Sequence, residues 1–150
     1  GDTHIPNGAK RKLPYLRPYN TLEEFVYKKG LKKHFHFLGH INDVENVLMN
    51  LDITLKLTRE FNPWGRDILE SMFYKVPAIS IGTYNTFVKN KYSGVLLPEY
   101  EAQKVADEIA FLLRNKNKLQ RLKVNSKKTI LKYCNPNING KKMQDIWIKM

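Results

Sequence analysis

Apolar and polar positions alternate at Ile53, Leu55 and Leu57 against Thr54 and Lys56. Period two is the mark of a strand. The polar stretch Arg59–Gly65 follows, broken by Pro63 and Gly65. Ile68, Leu69, Met72 and Phe73 then fall on one helical stripe, and Val76–Ile81 is a short apolar run that suits a buried strand. Thr58 to Ile81 thus compresses a strand end, a loop, a helix and a second strand, and the rest of the chain is arranged about it.

Upstream, Thr21 and Glu24 form a capping box, so a helix is expected to about Lys29 and a stop at Gly30. His34 to Leu38 alternates and reads as a strand ending at Gly39. Asn42 or Asp43 caps a helix with Val44, Val47, Leu48 and Leu51 on one side. Downstream, the pattern predicts a short helix over Thr86–Asn90 and a strand over Gly94–Pro98. Helices are expected from Glu101 to about Asn115 and from Lys118 to Tyr133, then a break at Asn135–Asn137. Asn139–Met150 reads as a basic amphipathic helix. Strands alternating with helices make the economical architecture an α/β, Rossmann-like parallel sheet flanked by helices. The divisions are an irregular lead-in over 1–20, with Pro6, Pro14 and Pro18, a Rossmann-like domain over 21–136, and a C-terminal helix over 137–150.

Composition narrows the class. The chain has 150 residues, 42% of them hydrophobic, enough for one globular core. A net charge of +12 admits nucleic acid, an anionic membrane surface or phosphorylated ligands as partners. No aromatic–basic repeat of the single-strand-binding kind is present, so no nucleic acid is expected. Cys134 is the single cysteine. It rules out a disulfide within the chain and a cysteine-based metal cluster, and it suits a reducing cytoplasm. No apolar run approaches the ~20 residues that span a bilayer.

In a parallel sheet, ligands bind beyond the carboxyl ends of the strands. Three expected loops lie there: Gly39–Asn42, Thr58–Gly65 and Gly82–Asn85. A loop entering a helix offers free N–H groups and the positive end of the helix dipole. Gly65 permits close approach of the backbone, Arg66 brings a fork of donors suited to phosphate, and Glu60 and Glu70 can accept from sugar or ribose hydroxyls. The alternative is an ordinary strand–loop–helix unit with Arg66 and Asp67 as solvated first-turn charges. His34 and His36 read as structural, while His40, just past a strand, faces the ligand region more readily.

Trp64-Gly65-Arg66-Asp67-Ile68-Leu69-Glu70-Ser71-Met72, followed by Val76-Pro77-Ala78-Ile79-Ser80, resembles the donor-site signature of group 1 retaining glycosyltransferases with the GT-B fold. Phe37-Leu38-Gly39-His40 resembles that family's turn near the nucleotide base, and Gly94–Pro98 its "G-x-L-x-x-P" element. Glu70 matches the second family glutamate. Asn62 stands where the first is expected, with Glu60 two residues earlier, so either the loop carries an insertion or Asn62 takes that role. Ile5-Pro6-Asn7-Gly8 resembles an interdomain linker; alternatively Gly1-Asp2 closes a strand turn inside the domain. Either way the first strand, with its diphosphate-clamping Arg and Lys, is not in this sequence.

The resemblance implies one half of a GT-B enzyme, binding a nucleotide diphosphate sugar without a metal or other cofactor and transferring the sugar with retention. Its implied catalytic candidates are Glu60 and Glu70, and its donor-binding candidates are Gly39, His40, Asn62, Trp64, Gly65, Arg66 and Gly82. The acceptor, a sugar, lipid or protein, is expected on the other GT-B half, so the chain by itself is expected to be inactive. The implied setting is the cytoplasm, with peripheral membrane contact open because many relatives use lipid-linked acceptors. The competing class is a basic module for nucleic acid or an anionic surface on the same scaffold, and a weaker third is a related epimerase or phosphorylase.

Overall fold

The computed structural model describes residues 3–58 and 60–149. The chain forms two compact units, Gly1–Val44 and Glu45–Met150.

The first unit holds helices α1 (Asn7–Lys12) and α2 (Leu22–Lys28), with short 3-10 turns at Pro14–Leu16 and Lys32–His34. The lead-in is therefore structured, correcting the irregular reading. Its prolines sit where they do no harm: Pro6 just ahead of α1, and Pro14 at the first position of its turn. Ile5, Leu16 and Val26 are buried. Thr21 Oγ1 accepts from the Glu24 N–H at 3.0 Å, as the capping box requires, while the Glu24 carboxylate accepts from the N–H of Asn20, one residue before the cap, at 2.8 Å. The expected strand over His34–Leu38 is not formed. Alternation becomes a strand only when a neighbour takes up the backbone N–H and C=O groups. The one bridge described in this unit joins His4 and Thr21 instead.

The second unit is a parallel three-stranded sheet, β1 (Thr54–Lys56), β2 (Ala78–Ile81) and β3 (Gly94–Leu97), in the order β1-β2-β3. Helices α3 (Val44–Met49), α4 (Arg66–Phe73), α5 (Ala102–Arg114), α6 (Lys116–Tyr133) and α7 (Pro136–Ile148) complete the chain. All four residues of β2 are buried, since it is covered on both faces. On one face Ala78 and Leu96 pack with Ile68 and Met72 of α4, Val88 and Ile130 of α6. On the other, Ile79 and Val95 pack with Leu112 of α5 and Leu119 and Leu122 of α6. Helix α6 therefore serves both cores, and it holds the three layers together.

The structure departs from the sequence pattern at several points. The β1 alternation is realised unevenly: Ile53 packs against the α5-side core, but Leu55, in register with Ile79, is 47% exposed, while Thr54 and Lys56 are half-buried on the α4 face, in register with Ala78 and Ser80. The hydroxyls of Thr54 and Ser80 are buried without a hydrogen-bond partner among the described residues. No helix forms over Thr86–Asn90. Ser93 Oγ there accepts from the Lys89 N–H and donates to the Phe87 carbonyl, closing a loop in place of a helical turn. Helix α7 starts at Pro136, not beyond it, because proline lacks only an N–H that the first helical position leaves unpaired and Asn135 caps the next two. Helix α3 buries none of its apolar residues. In α7 Trp147 is 69% exposed.

Leu122→Ala removes a fully buried side chain from the core on the α5 side and is expected to cost about 2–5 kcal/mol. Leu131→Ala, on the exposed side of the same helix, should stay within about 0.5 kcal/mol. Urea unfolding of the two variants checks this.

Candidate functional site

Loops 57–65 and 82–93 leave the carboxyl ends of β1 and β2, and they meet at Gly82. Its φ is 141°, a conformation that side chains rarely adopt. A Cβ built on it would lie 2.6 Å from the Phe61 carbonyl oxygen and 2.9 Å from Pro63 Cδ. Only hydrogen fits in that space. The contact seats Pro63 in the interior and holds the Phe61–Pro63 backbone on the end of β2. Phe61 itself has a positive φ of 51°, an uncommon state for a bulky residue that the surrounding contacts must impose.

From this anchor the chain rises through Trp64 to the start of α4. The Trp64 ring lies 5.5 Å from Phe87 and 6.1 Å from Tyr84, and Phe87 lies 6.0 Å edge-on to Tyr133 of α6. Four aromatic rings thus buttress the outer side of the loop, at distances where aromatic pairs attract. Trp64 remains 41% exposed and keeps a usable surface.

Gly65 is the N-cap of α4 and no side chain caps the helix there. The helix start is governed instead by an ion pair: Lys56 Nζ donates to both carboxylate oxygens of Asp67, at 2.8 and 2.7 Å. A Cβ on Gly65 would fall 2.7 Å from Asp67 Oδ1 and 3.0 Å from Lys56 Nζ, so the glycine leaves room for the pair. The Lys56 side chain is only 16% exposed. Reading Lys56 as the polar half of an alternating strand missed it as a site residue. The signal was present in its position: it is the last residue of a strand whose carboxyl end opens on the site. Asp67, in the first turn, both answers the Lys56 charge and favours the positive helix end.

The sequence candidates separate into groups. Asn62, Trp64, Gly65, Arg66, Glu70 and Gly82 are brought together on the loop, its anchor and the first turns of α4. Glu60 is an exposed residue of the same loop. Thr58 Oγ1 donates to the Asn62 carbonyl at 3.3 Å, which ties the loop across its base, and the Asn62 residue is exposed. Arg66 Nε donates to Glu70 Oε1 at 3.0 Å, a solvent-side pair one helical turn apart. That pair holds one oxygen of Glu70, and among the described residues the other has no partner. Gly39 and His40 belong to the first unit; Gly39 has a φ of 64°, and His40 Nε2 lies 3.1 Å from Asn42 Oδ1. Beside Gly82, Thr83, Asn85, Asn90 and Pro98 border a depression of about 570 Å³ at the ends of β2 and β3. Its walls supply polar groups, which sequence reasoning extended only as far as the loop itself.

Gly82→Ala is expected to destabilise the chain by about 1–3 kcal/mol, through overpacking and a disfavoured φ. Gly140→Ala, in α7 with open space around the glycine, should instead be neutral or stabilise by up to about 1 kcal/mol. Paired melting curves separate the effects.

Several known proteins are similar to this chain. Crystal structures of Anabaena HepE in complex with UDP and with UDP-glucose superpose with TM-scores of 0.79 and 0.77, at 18% and 19% identity, covering 97% and 91% of this chain and 39% and 37% of theirs. The C-terminal domain of the group 1 family protein LpcC from Francisella tularensis matches with a TM-score of 0.63 at 21% identity, over 82% of this chain and 64% of that one. These likenesses establish the fold. A CCA-adding enzyme from Buchnera aphidicola is 31% identical over 129 residues, which are 83% of this chain and 29% of that protein. The chain therefore spans less than two thirds of the length of each of these proteins. The model of the glycosyl transferases group 1 family matches residues 18–129. With a match over most of its length and a Rossmann-like sheet shared with those structures, the chain belongs to the glycosyl transferases group 1 family.

Proposed function

We propose that this chain is the donor-binding half of a retaining glycosyltransferase and takes a nucleotide diphosphate sugar, without a metal, for transfer to an acceptor held elsewhere. The observation that carries the reading is the start of α4: an uncapped helix end with Lys56 beside it, held by Gly82 at the carboxyl ends of parallel strands. Such an end suits the diphosphate. The presence of UDP and UDP-glucose in the HepE structures supports a uridine nucleotide. In this reading Glu70 accepts from the ribose hydroxyls through the oxygen that Arg66 leaves free. Glu60 or Asn62 meets the sugar, and Trp64 offers its exposed face. Gly39 and His40 are assigned to the base on resemblance. Transfer then rests on stabilising the departing diphosphate, with backbone N–H groups and Arg66 facing the growing charge.

A second reading, a basic module for nucleic acid or an anionic surface, draws on the net charge of +12 and on the partial match to the CCA-adding enzyme. Salt separates the two, since nucleic-acid affinity falls steeply with salt whereas donor affinity tracks base and sugar.

Calorimetry should show UDP or GDP binding more tightly than the monophosphate and far more tightly than the nucleoside. Glu70→Gln is expected to weaken the nucleotide about 10- to 100-fold, the loss of a charge-assisted bond of roughly 1.5–3 kcal/mol, with the melting temperature kept. Unchanged affinity with a lowered melting temperature would make Glu70 a partner of Arg66 and nothing more.

A further inference from the structure

The positive charge is segregated along the chain. From Arg114 to Met150 there are eleven Lys or Arg and a single carboxylate, Asp145. Most of this charge lies on α6, and part of it has local partners: Lys123 pairs with Asp52, and Lys127 covers the Phe73 ring. Three lysines from two separate segments behave differently. Lys89, from the loop after β2, and Lys128 and Lys132, one turn apart on α6, border a cleft of about 380 Å³ with Tyr92, Thr129 and Tyr133. Lys89 Nζ is 5.4 Å and Lys132 Nζ 5.5 Å from the centre of the Tyr133 ring. Lys89 also donates to Tyr133 Oη at 3.4 Å. None of the ion pairs among the described residues includes Lys89, Lys128 or Lys132.

The negative end of the α6 dipole accounts for Lys132, in the last turn, but not for a lysine brought to it from another element. Ammonium groups gathered on one ring repel one another, and among the described residues no carboxylate pairs with them. A multiply charged anion with several acceptor oxygens would relieve that repulsion. The tyrosine hydroxyl and the lysine ammoniums are the donors a phosphate group takes. Lys89 also borders the depression beside Gly82, and the Tyr133 ring is joined through Phe87 to Trp64, so this cleft adjoins the donor loop without sharing its residues.

We propose that the Lys89–Lys128–Lys132–Tyr133 cleft is a phosphate-binding subsite distinct from the donor site. Its occupant is the phosphate of the second substrate, an assignment that rests on the glycosyltransferase reading; the phosphate affinity itself does not. The acceptor class is then a phosphorylated molecule, whose phosphate arrives either free in solution or on a lipid headgroup.

Inorganic phosphate is titrated into the ¹⁵N-labelled full chain, with sodium chloride at matched ionic strength as the blank. Saturable amide shifts are expected at Lys89, Thr129, Lys132 and Tyr133. Lys128→Gln/Lys132→Gln should weaken them about tenfold or more, whereas Lys116→Gln/Lys118→Gln, on the first turn of the same helix, should leave them. Shifts spread along all of α6, reproduced by chloride, or weakened equally by both double variants, overturn the subsite. UDP in the same experiment should move Gly65 to Ile68. If UDP moves them and phosphate moves nothing, the donor reading stands and the subsite falls; the converse removes the donor reading and keeps the subsite. Co-sedimentation with phosphatidic acid vesicles that depends on Lys128 and Lys132 identifies a lipid source, and phosphate binding without co-sedimentation a soluble one. A single-stranded RNA that displaces phosphate with a steep salt dependence makes the cleft part of a nucleic-acid surface and overturns the assignment.

Discussion

The site depends on a backbone contact that admits no side chain. Gly82, at the end of the central strand, touches the Phe61 carbonyl and Pro63 directly, and that contact sets where loop 57–65 can lie. Everything downstream follows from it. With Pro63 seated, Trp64 reaches the Tyr84–Phe87 ring cluster, and Gly65 delivers the chain into α4 at the height of Lys56. A loop that was merely long and polar would sample many conformations. This one is held at its floor by glycine, at its outer side by aromatic rings and at its end by an ion pair.

The ion pair sets the electrostatics. Lys56 is mostly withdrawn from water and its charge is balanced by Asp67. Asp67 at the same time occupies the favourable end of the α4 dipole. An incoming diphosphate would compete with a carboxylate already in place, and would gain most if Lys56 turned toward it while Asp67 moved toward solvent, where it is already more than half exposed. Arg66 and Glu70 repeat this arrangement one turn along, on the water side. In both pairs a cation and an anion sit together in a region proposed to take a charged ligand, so each charge is balanced locally.

The scaffold beneath is economical. Three short parallel strands have few residues to bury, and β2 buries all of its own because α4 covers one face and α5 the other, with α6 reaching both cores. Helix α6 carries this apolar work on one side and a carboxylate-free basic surface on the other. Its last turn brings Tyr133 and Lys132 to the same end of the sheet as the Trp64 loop.

Much of this was legible in the residues. The strand–loop–helix–strand order from Ile53 to Ile81, the cap at Thr21, the helices over 102–114 and 116–133, and the clustering of Asn62, Trp64, Gly65, Arg66 and Gly82 near strand ends are local matters. Periodicity, breakers and capping chemistry determine them, because their causes lie within a few residues along the chain. Other features are settled by partners far away in sequence. His34–Leu38 alternates as a strand should but has no strand neighbour among the described residues of its unit, and pairing cannot be read from one segment. The lead-in prolines read as an irregular segment, yet Pro6 and Pro14 occupy helix-start positions that tolerate them, Pro18 lies in the turn that follows, and Ile5 and Leu16 are buried beside them. The exposure along β1 is likewise a tertiary outcome: Asp67 of α4 holds Lys56 half-buried, while Leu55 on the opposite face stays partly in water although Ile53 beside it packs against the core. The meeting of Lys89 with Lys128, Lys132 and Tyr133 is likewise a tertiary fact: charge is countable in a sequence, but which charges face one another depends on how the helices pack.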